Sequence, residues 1–291
     1  MFLSRKPLIA LLLAMLMLLA CACALAATEP LSRVLEETVA YEDAGIRVSV
    51  DRWCYTYERD GTYKSHTLRF FVAHVEVDDP AQLQTAFAGE EYSPRNTEAT
   101  FDIAVRHDAV IAVNGDYYNF KNDNGLIIRN GVLYRDKKSS RDQLLVYADG
   151  SLVSLPKGTF TPGSGEAYVA DGVVQSFSFG PLLIDGGEIL ALSGKNPVTT
   201  RDDAREPRTA IGWVDATHYV LLVADGRRKD WSENGMTLQE MQQVFSQEGC
   251  QIAYNLDGGG SATRVLNGEL LNHPSGSGQR DVSDIIYFVT P

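Results

Sequence analysis

Apolar residues recur along this chain in two rhythms, period two and period three-to-four, and each predicts an element. Ile46, Val48 and Val50 alternate with polar residues, as in a half-buried strand. Leu68 to Val77 reads as a second strand, rich in Phe and Val. From Thr97 to Ala109 the rhythm changes. Phe101, Ala104, Val105 and Ala109 lie at helical spacing, and a strand, Val110 to Val113, then runs into Asn114-Gly115-Asp116.

The middle of the chain predicts hairpins. Asn130-Gly131 separates Leu126-Ile127-Ile128 from Val132-Leu133-Tyr134, and Asp149-Gly150 separates two further apolar runs. Both pairs accept the positive φ angles that tight antiparallel turns demand. Asp171-Gly172 and Asp185-Gly186-Gly187 repeat the theme.

The last third is more sharply marked. Arg208 to Val214 and His218 to Ala224 read as paired strands. Thr237-Leu238-Gln239-Glu240 is a capping box; Leu238, Met241, Val244 and Phe245 share one helical face, and Gly249 closes the helix. A strand from Gln251 to Asn255 delivers the chain to Leu256-Asp257-Gly258-Gly259-Gly260-Ser261, and Ile285 to Val289 is a final apolar strand. Hairpins with few helices predict an α+β fold, a mainly antiparallel or mixed sheet with a few packed helices. Residues 28–95 read as N-terminal strands or an extension, and 96–291 as a single domain.

Residues 1–27 are of another kind. Arg5 and Lys6 precede an almost unbroken apolar run, Leu8 to Leu19, and then small residues through Ala24, Ala26 and Ala27. That order predicts a secretory signal, too short in its apolar part for a membrane span. Leu18-Leu19-Ala20-Cys21 also has the form of a lipoprotein processing site, which leaves a lipid anchor open as the means of membrane attachment. The expected location is therefore secreted, or the outer face of the cell envelope.

Composition changes the picture in one respect. The chain is 44% hydrophobic and 22% charged, which is ordinary for a globular core. Its net charge is −12, and loss of Arg5 and Lys6 leaves 24 basic against 38 acidic residues, or −14. Nucleic acid is excluded as a partner on that balance, whereas a small phosphorylated ligand needs only a few well-placed arginines. Cys54 and Cys250 remain after the leader, and spacing does not say whether they pair.

Candidate chemistry gathers around the triple glycine. Without Cβ atoms, successive amides can converge on an anion, with Ser261 and Asp257 at the edges, although a plain tight turn uses the same residues. Asp225-Gly226-Arg227 and Asn114-Gly115-Asp116 also end apolar strands. Arg208 begins one, where an unpaired guanidinium is costly, so Asp257, Asp225 or a ligand phosphate is its expected partner. Arg280 follows the polar turn Asn272-His273-Pro274-Ser275. His66, His74, His107, His218 and His273 show no metal-ligand spacing. No cofactor is required, and a hard cation such as Ca2+ held by aspartates stays open.

These pieces together resemble the phosphodiester glycosidase family. The similar segments are Arg208-Thr209-Ala210-Ile211-Gly212, Ala224-Asp225-Gly226-Arg227, Gly235-Met236-Thr237 and Asn255-Leu256-Asp257-Gly258-Gly259-Gly260-Ser261-Ala262-Thr263. Asn267-Gly268, Asn272 with Pro274-Ser275, and Arg280 with Val282 follow in family order. Upstream, Ala112 to Tyr118 and Phe179-Gly180-Pro181 with Asp185-Gly186 resemble further motifs, giving coverage of roughly residues 100–290. Asp116 and Tyr117 depart from the family, standing where its eukaryotic "uncovering enzyme" has Gly and Phe.

The resemblance implies cleavage between a sugar's anomeric carbon and a phosphate. Asp257, Asp225 and Asp116 are the candidate carboxylates, in that order. Arg208, Arg227, Arg280, Ser261 and the amides of Gly258, Gly259 and Gly260 are expected to receive phosphate. Asn114, Asn255 and Asn272 are expected to orient sugar hydroxyls, with Tyr117 and Tyr118 against the ring. The expected ligand is a sugar-phosphate diester or a cell-envelope glycopolymer. Two other readings use the same residues: a phosphodiesterase breaking the phosphorus–oxygen bond, and a non-catalytic module that binds glycopolymer in exopolysaccharide or wall assembly.

Overall fold

The computed structural model describes residues 31–58, 65–118, 124–192, 203–227 and 234–291. The predicted export segment, residues 1–27, lies outside them. Residues 32–291 form one compact unit.

Its frame is an eight-stranded sheet. Three N-terminal strands, β1 (Val34–Asp43), β2 (Ile46–Glu58) and β3 (Ser65–Val77), form one side. Beyond β3 come His218–Ala224, Arg208–Asp215, Ile252–Asn255, Leu182–Asp185 and Glu188–Ile189, in that order. A five-stranded sheet runs Glu269–Leu270, Arg264–Leu266, Ile111–Asn114, Asp284–Phe288, Leu83–Phe87. Smaller sheets of three and two strands carry the central hairpins. Ladder pairings among the described strands, such as β2 with β3 and β3 with His218–Ala224, are antiparallel. The α+β expectation therefore holds in its coarse form, mostly antiparallel sheet with few helices.

The two larger sheets share one core. Val75, Ile211, Leu221 and Tyr254 from the first pack in one buried cluster with Val113, Ile286 and Phe288 from the second. Each such side chain contributes about 1.5–3 kcal/mol by leaving water, so the alternation in β2 and β3 secures the attachment of the N-terminal strands. β1, β2 and β3 are thus strands of the main sheet.

Local signals behave as their chemistry requires. Asn130 and Gly131 take φ of 49° and 75° and link Gly125–Arg129 to Val132–Lys137. Thr237 accepts from the Glu240 amide at 3.2 Å, and Glu240 accepts from the Thr237 amide at 2.9 Å. The helix so capped, Leu238–Gln247, lies on the sheet at Gly212, where a Cβ would come within 2.7 Å of Phe245 and Cys250. Asp171-Gly172 differs from expectation. It ends a short helix, Gly165–Ala170, rather than a hairpin, because the preceding residues complete a helical turn. Strand β1 was not expected. Its sequence, VLEETVAYED, is almost wholly exposed and shows no clean alternation. Cys54 and Cys250 are not bridged, and burial pushes the Cys250 thiol up to about 12.

Candidate active site

Strand register brings the polar strand ends together. Arg208 pairs with Ala224, and Ala210 with Asn255, so the start of one strand meets the ends of its two neighbours. The ladder then continues into loops. The Leu256 amide donates to Thr209 O at 2.9 Å and the Gly259 amide to Pro207 O at 2.8 Å. On the other side the Asp225 amide donates to Arg69 O at 3.2 Å. Asp225, Arg208 and Asp257 therefore share one end of the large sheet.

Asn114 ties that end to the second sheet. Its Nδ2 donates to Asp257 O at 2.6 Å, and its Oδ1 accepts from Thr209 Oγ1 at 2.7 Å and the Thr263 amide at 3.2 Å. Asn272 is equally committed. Its Nδ2 donates to Asp225 Oδ1 at 2.9 Å and Ala262 O at 3.0 Å, while Oδ1 accepts from the Arg264 amide at 2.8 Å. Asn255 donates to Gly180 O at 2.8 Å. The side-chain NH2 groups expected to orient sugar hydroxyls are thus engaged within the protein, where they hold loops in place, while Asn255 Oδ1 has no hydrogen-bond partner among the described residues.

The triple glycine leads into a short 3-10 turn, Gly259–Ser261, with Gly258 as its N-cap. The Gly258 amide donates to Asp257 Oδ1 at 2.9 Å, Gly259 to Pro207 O, and Ser261 to Gly258 O. Two of the three amides expected to face an anion, those of Gly258 and Gly259, are spent internally, because the turn must pack against Pro207. A Cβ on Gly258 would lie 2.6 Å from that carbonyl, and Gly259 sits at φ +61° with the Arg227 guanidinium 3.2 Å from where its Cβ would be. The close packing, more than an anion concavity, explains the glycines.

Asp257 is held in a charged network. Arg280 Nη2 donates to its Oδ2 at 2.9 Å and to Ser261 Oγ at 2.5 Å, and Arg280 Nε reaches the same hydroxyl at 2.9 Å. Burial pushes the Asp257 carboxyl up, against the opposing pull of Arg280, Ser261 and the Gly258 amide. Ser261 and Arg280, expected as ligand groups, hold this carboxylate.

Asp225 is the carboxylate that faces a cavity. A cleft of about 410 Å3 is lined by Glu36, Arg52, Arg69, Phe71, Asp225 and His273. Asp225 is 3% exposed, and burial pushes its carboxyl up, while Asn272, the His273 amide and Arg264 pull it down. The His273 amide donates to both its oxygens, at 3.1 and 3.2 Å. Behind Phe71 lies Arg264, fully buried, its guanidinium 4.0 Å from the ring centre. None of its three nitrogens has a hydrogen-bond partner among the described residues, and burial lowers the group to about 9.

Other expected site residues have partners of their own within the protein. Arg208 donates to Met236 O at 3.0 Å and Ala204 O at 2.7 Å, so backbone carbonyls take the place of the expected aspartate or phosphate at these nitrogens. Arg227 pairs with Glu206 at 2.5 Å. Asp116 points inward. Its amide is held by Asp284 Oδ1 at 2.8 Å, and its Oδ2 accepts from the Ser178 amide at 2.7 Å and lies 3.9 Å from Arg129. Arg129 in turn bonds Asp284 Oδ2 at 2.6 Å. Asp116 is therefore part of a buried ionic cluster and is not presented to ligand. Tyr118 is buried with its hydroxyl on Ser283 O, while Tyr117 is partly exposed.

Glu36, Arg52, Arg69, Phe71, His273 and Arg264 were not among the expected site residues. The first four precede every motif, and the sole signal was a pair of arginines in otherwise ordinary strands. Among the described residues no group of three or more His, Cys, Asp or Glu side chains is arranged to hold a metal.

The chain is 27% identical over 207 residues to an uncharacterised SPbeta prophage-derived protein of Bacillus subtilis, covering 69% of this chain and 31% of that one. It is 27% identical over 231 residues to mouse N-acetylglucosamine-1-phosphodiester alpha-N-acetylglucosaminidase, covering 72% and 44% respectively. The chain thus spans less than half the length of either relative. In fold it resembles the zebrafish N-acetylglucosamine-1-phosphodiester alpha-N-acetylglucosaminidase catalytic domain, with a TM-score of 0.69 at 21% identity over 88% of each chain. The profile of the family described as phosphodiester glycosidase matches residues 107–289, and the chain belongs to that family.

Proposed function

We propose that this protein is an exported hydrolase that cuts a sugar from the phosphodiester attached to its anomeric carbon. Its substrate is an N-acetylglucosamine-1-phosphodiester-like glycoconjugate or envelope glycopolymer. The observation that carries the reading is Asp225, a buried carboxyl on the wall of a cleft that also presents Arg52 and Arg69. Cleavage at the anomeric carbon separates charge: the carbon becomes cationic and the departing oxygen anionic. A cleft with a carboxylate and guanidinium groups matches both ends of that separation.

In the balanced reaction, water oxygen bonds to the anomeric carbon and the bond from that carbon to phosphate oxygen breaks. The bonding pair stays on the phosphate. The water proton passes to a carboxylate and then to the phosphate monoester or solvent. Asp225 is assigned to the anomeric carbon. Its amide donors keep an anionic form available despite its burial. Asp257, oriented by Arg280 and Ser261 at the same sheet end, is the second carboxyl. The order of residues 1–27 supports export.

The test is turnover of N-acetylglucosamine-α-phosphate diesters by wild type, Asp225→Asn and Asp257→Asn, run in oxygen-labelled water. Label in the released sugar, with release lost in Asp225→Asn, supports the reading. Label in phosphate would make the protein a phosphodiesterase. No release from a panel of sugar phosphodiesters by folded protein would favour glycopolymer binding.

A further inference from the structure

The cleft beside Asp225 holds an ionic arrangement whose residues precede the segment matched by the family profile, residues 107–289. Arg52 on β2 and Arg69 on β3 both donate from Nε to Glu36 Oε2, at 3.2 and 3.1 Å, and Arg69 Nε is also 3.3 Å from Glu36 Oε1. Arg52 carries a second carboxylate, Glu37, 3.0 Å from its Nη1. All three residues of the Glu36 cluster line the cleft with Asp225 and Phe71.

Glu36 reaches this position through an irregularity. Leu35 faces Trp53 and Glu37 faces Arg52, so Glu36 is the extra residue of a bulge in β1. A bulge re-aims the side chain it carries. Strand β1 is moreover the outermost strand of the eight, and its side chains are nearly all exposed. The carboxylate is therefore supplied by a lightly packed edge. The two arginines stand on strands inside the sheet, with Arg69 O accepting from the Asp225 amide. Two cations on inner strands facing an anion from the edge strand make a site where one anion can exchange for another.

We propose that Arg52 and Arg69 bind the phosphate of the substrate, and that this phosphate replaces the Glu36 carboxylate. The chemistry fits the exchange. Guanidinium forks match phosphate oxygens, and replacing one anion by another avoids leaving the cations unpaired. Arg264 adds a buried positive charge behind Phe71, without a hydrogen-bond partner among the described residues. A phosphate there would set the adjoining anomeric carbon toward Asp225. Specificity for an anionic leaving group would then reside in strands outside the family's matched segment. The identity of the ligand rests on the glycosidase reading; the anion site itself does not.

Two measurements on the full chain test this. Inorganic phosphate is titrated calorimetrically into wild type, Glu36→Gln and the double variant Arg52→Gln/Arg69→Gln. KM for an N-acetylglucosamine-1-phosphodiester is measured beside KM for an uncharged aryl glycoside. The double variant should bind phosphate at least tenfold more weakly and raise the diester KM at least tenfold more than the aryl glycoside KM. Glu36→Gln should bind phosphate several-fold more tightly. Phosphate affinity and diester KM within twofold of wild type in the double variant would overturn the proposal, as would a wild type that binds no phosphate at millimolar concentration. If the double variant does not fold, Glu36→Gln decides alone, and unchanged affinity sinks the idea. Arginine-dependent phosphate binding without sugar release would retain the site and reject the glycosidase reading. Sugar release indifferent to both arginines would do the reverse.

Discussion

Asn272 Nδ2 donates to Asp225 Oδ1 at 2.9 Å and, from the same nitrogen, to Ala262 O at 3.0 Å. The cleft carboxylate is thereby pinned to the exit of the triple-glycine turn, 47 residues from the partner that holds it. Asn272 is a positioning residue for Asp225, and its bond favours the ionised form.

That relationship sets a pH dependence. Burial raises the Asp225 carboxyl and the Asn272 bond lowers it, so removing the bond moves it further up. If ionised Asp225 is required, Asn272→Ala should shift the acid limb of kcat/KM upward. Rates measured from pH 3 to 8 check it. An acid limb in the same place would detach Asp225 from the rate.

Arg280 should act on Asp257 through orientation as well as charge. It is half exposed, so its stability contribution is screened to about 0–1 kcal/mol. Arg280→Met should thus leave the melting temperature nearly unchanged and lower kcat, with Arg280→Lys recovering part of the loss. Loss through KM alone would assign Arg280 to substrate binding instead.

Gly258 is a packing requirement. A Cβ there would meet Pro207 O at 2.6 Å, and that atom is backbone in the strand-end ladder. Gly258→Ala should cost about 1–3 kcal/mol, in the range of overpacked sites. Thermal unfolding should show a fall of several degrees. Stability equal to wild type would mean that the loop shifts freely, contrary to its pairing with Pro207.

The buried cluster of Arg129, Asp284 and Asp116 gives a larger effect. Asp284→Ala would leave Arg129, 2% exposed, with Asp116 as its nearest acid at 3.9 Å. Breaking a buried pair on one side costs about 3–5 kcal/mol. Urea unfolding should register most of that loss. A loss under 1 kcal/mol would show that Asp116 moves in to replace Asp284.

Elements defined by neighbouring residues are legible in the sequence. The Thr237–Glu240 box, the Asn130-Gly131 turn and the alternation at Ile46, Val48 and Val50 each rest on bonds or periods within a few residues. Strand β1 was not legible, because an exposed edge strand needs no apolar face and is specified by its partner β2. Asp116 misled for a related reason. Its sequence neighbours are those of a strand-end loop, while its partners Ser178, Arg129 and Asp284 come from distant segments.

The amino-acid sequence by itself determined the family, the paired strands around Asp225, the capped helix and the strand-to-glycine turn at Asp257. All of these follow from local spacing, turn chemistry and motif order. Only the tertiary structure decided that Asp225 faces the cleft, that Asp257 is held by Arg280, and that Glu36, Arg52 and Arg69 complete the wall. The physical reason is that strand order and register are selected by burial of side chains far apart in sequence. Which polar groups meet at the sheet's end is a consequence of that selection, and no local pattern encodes it.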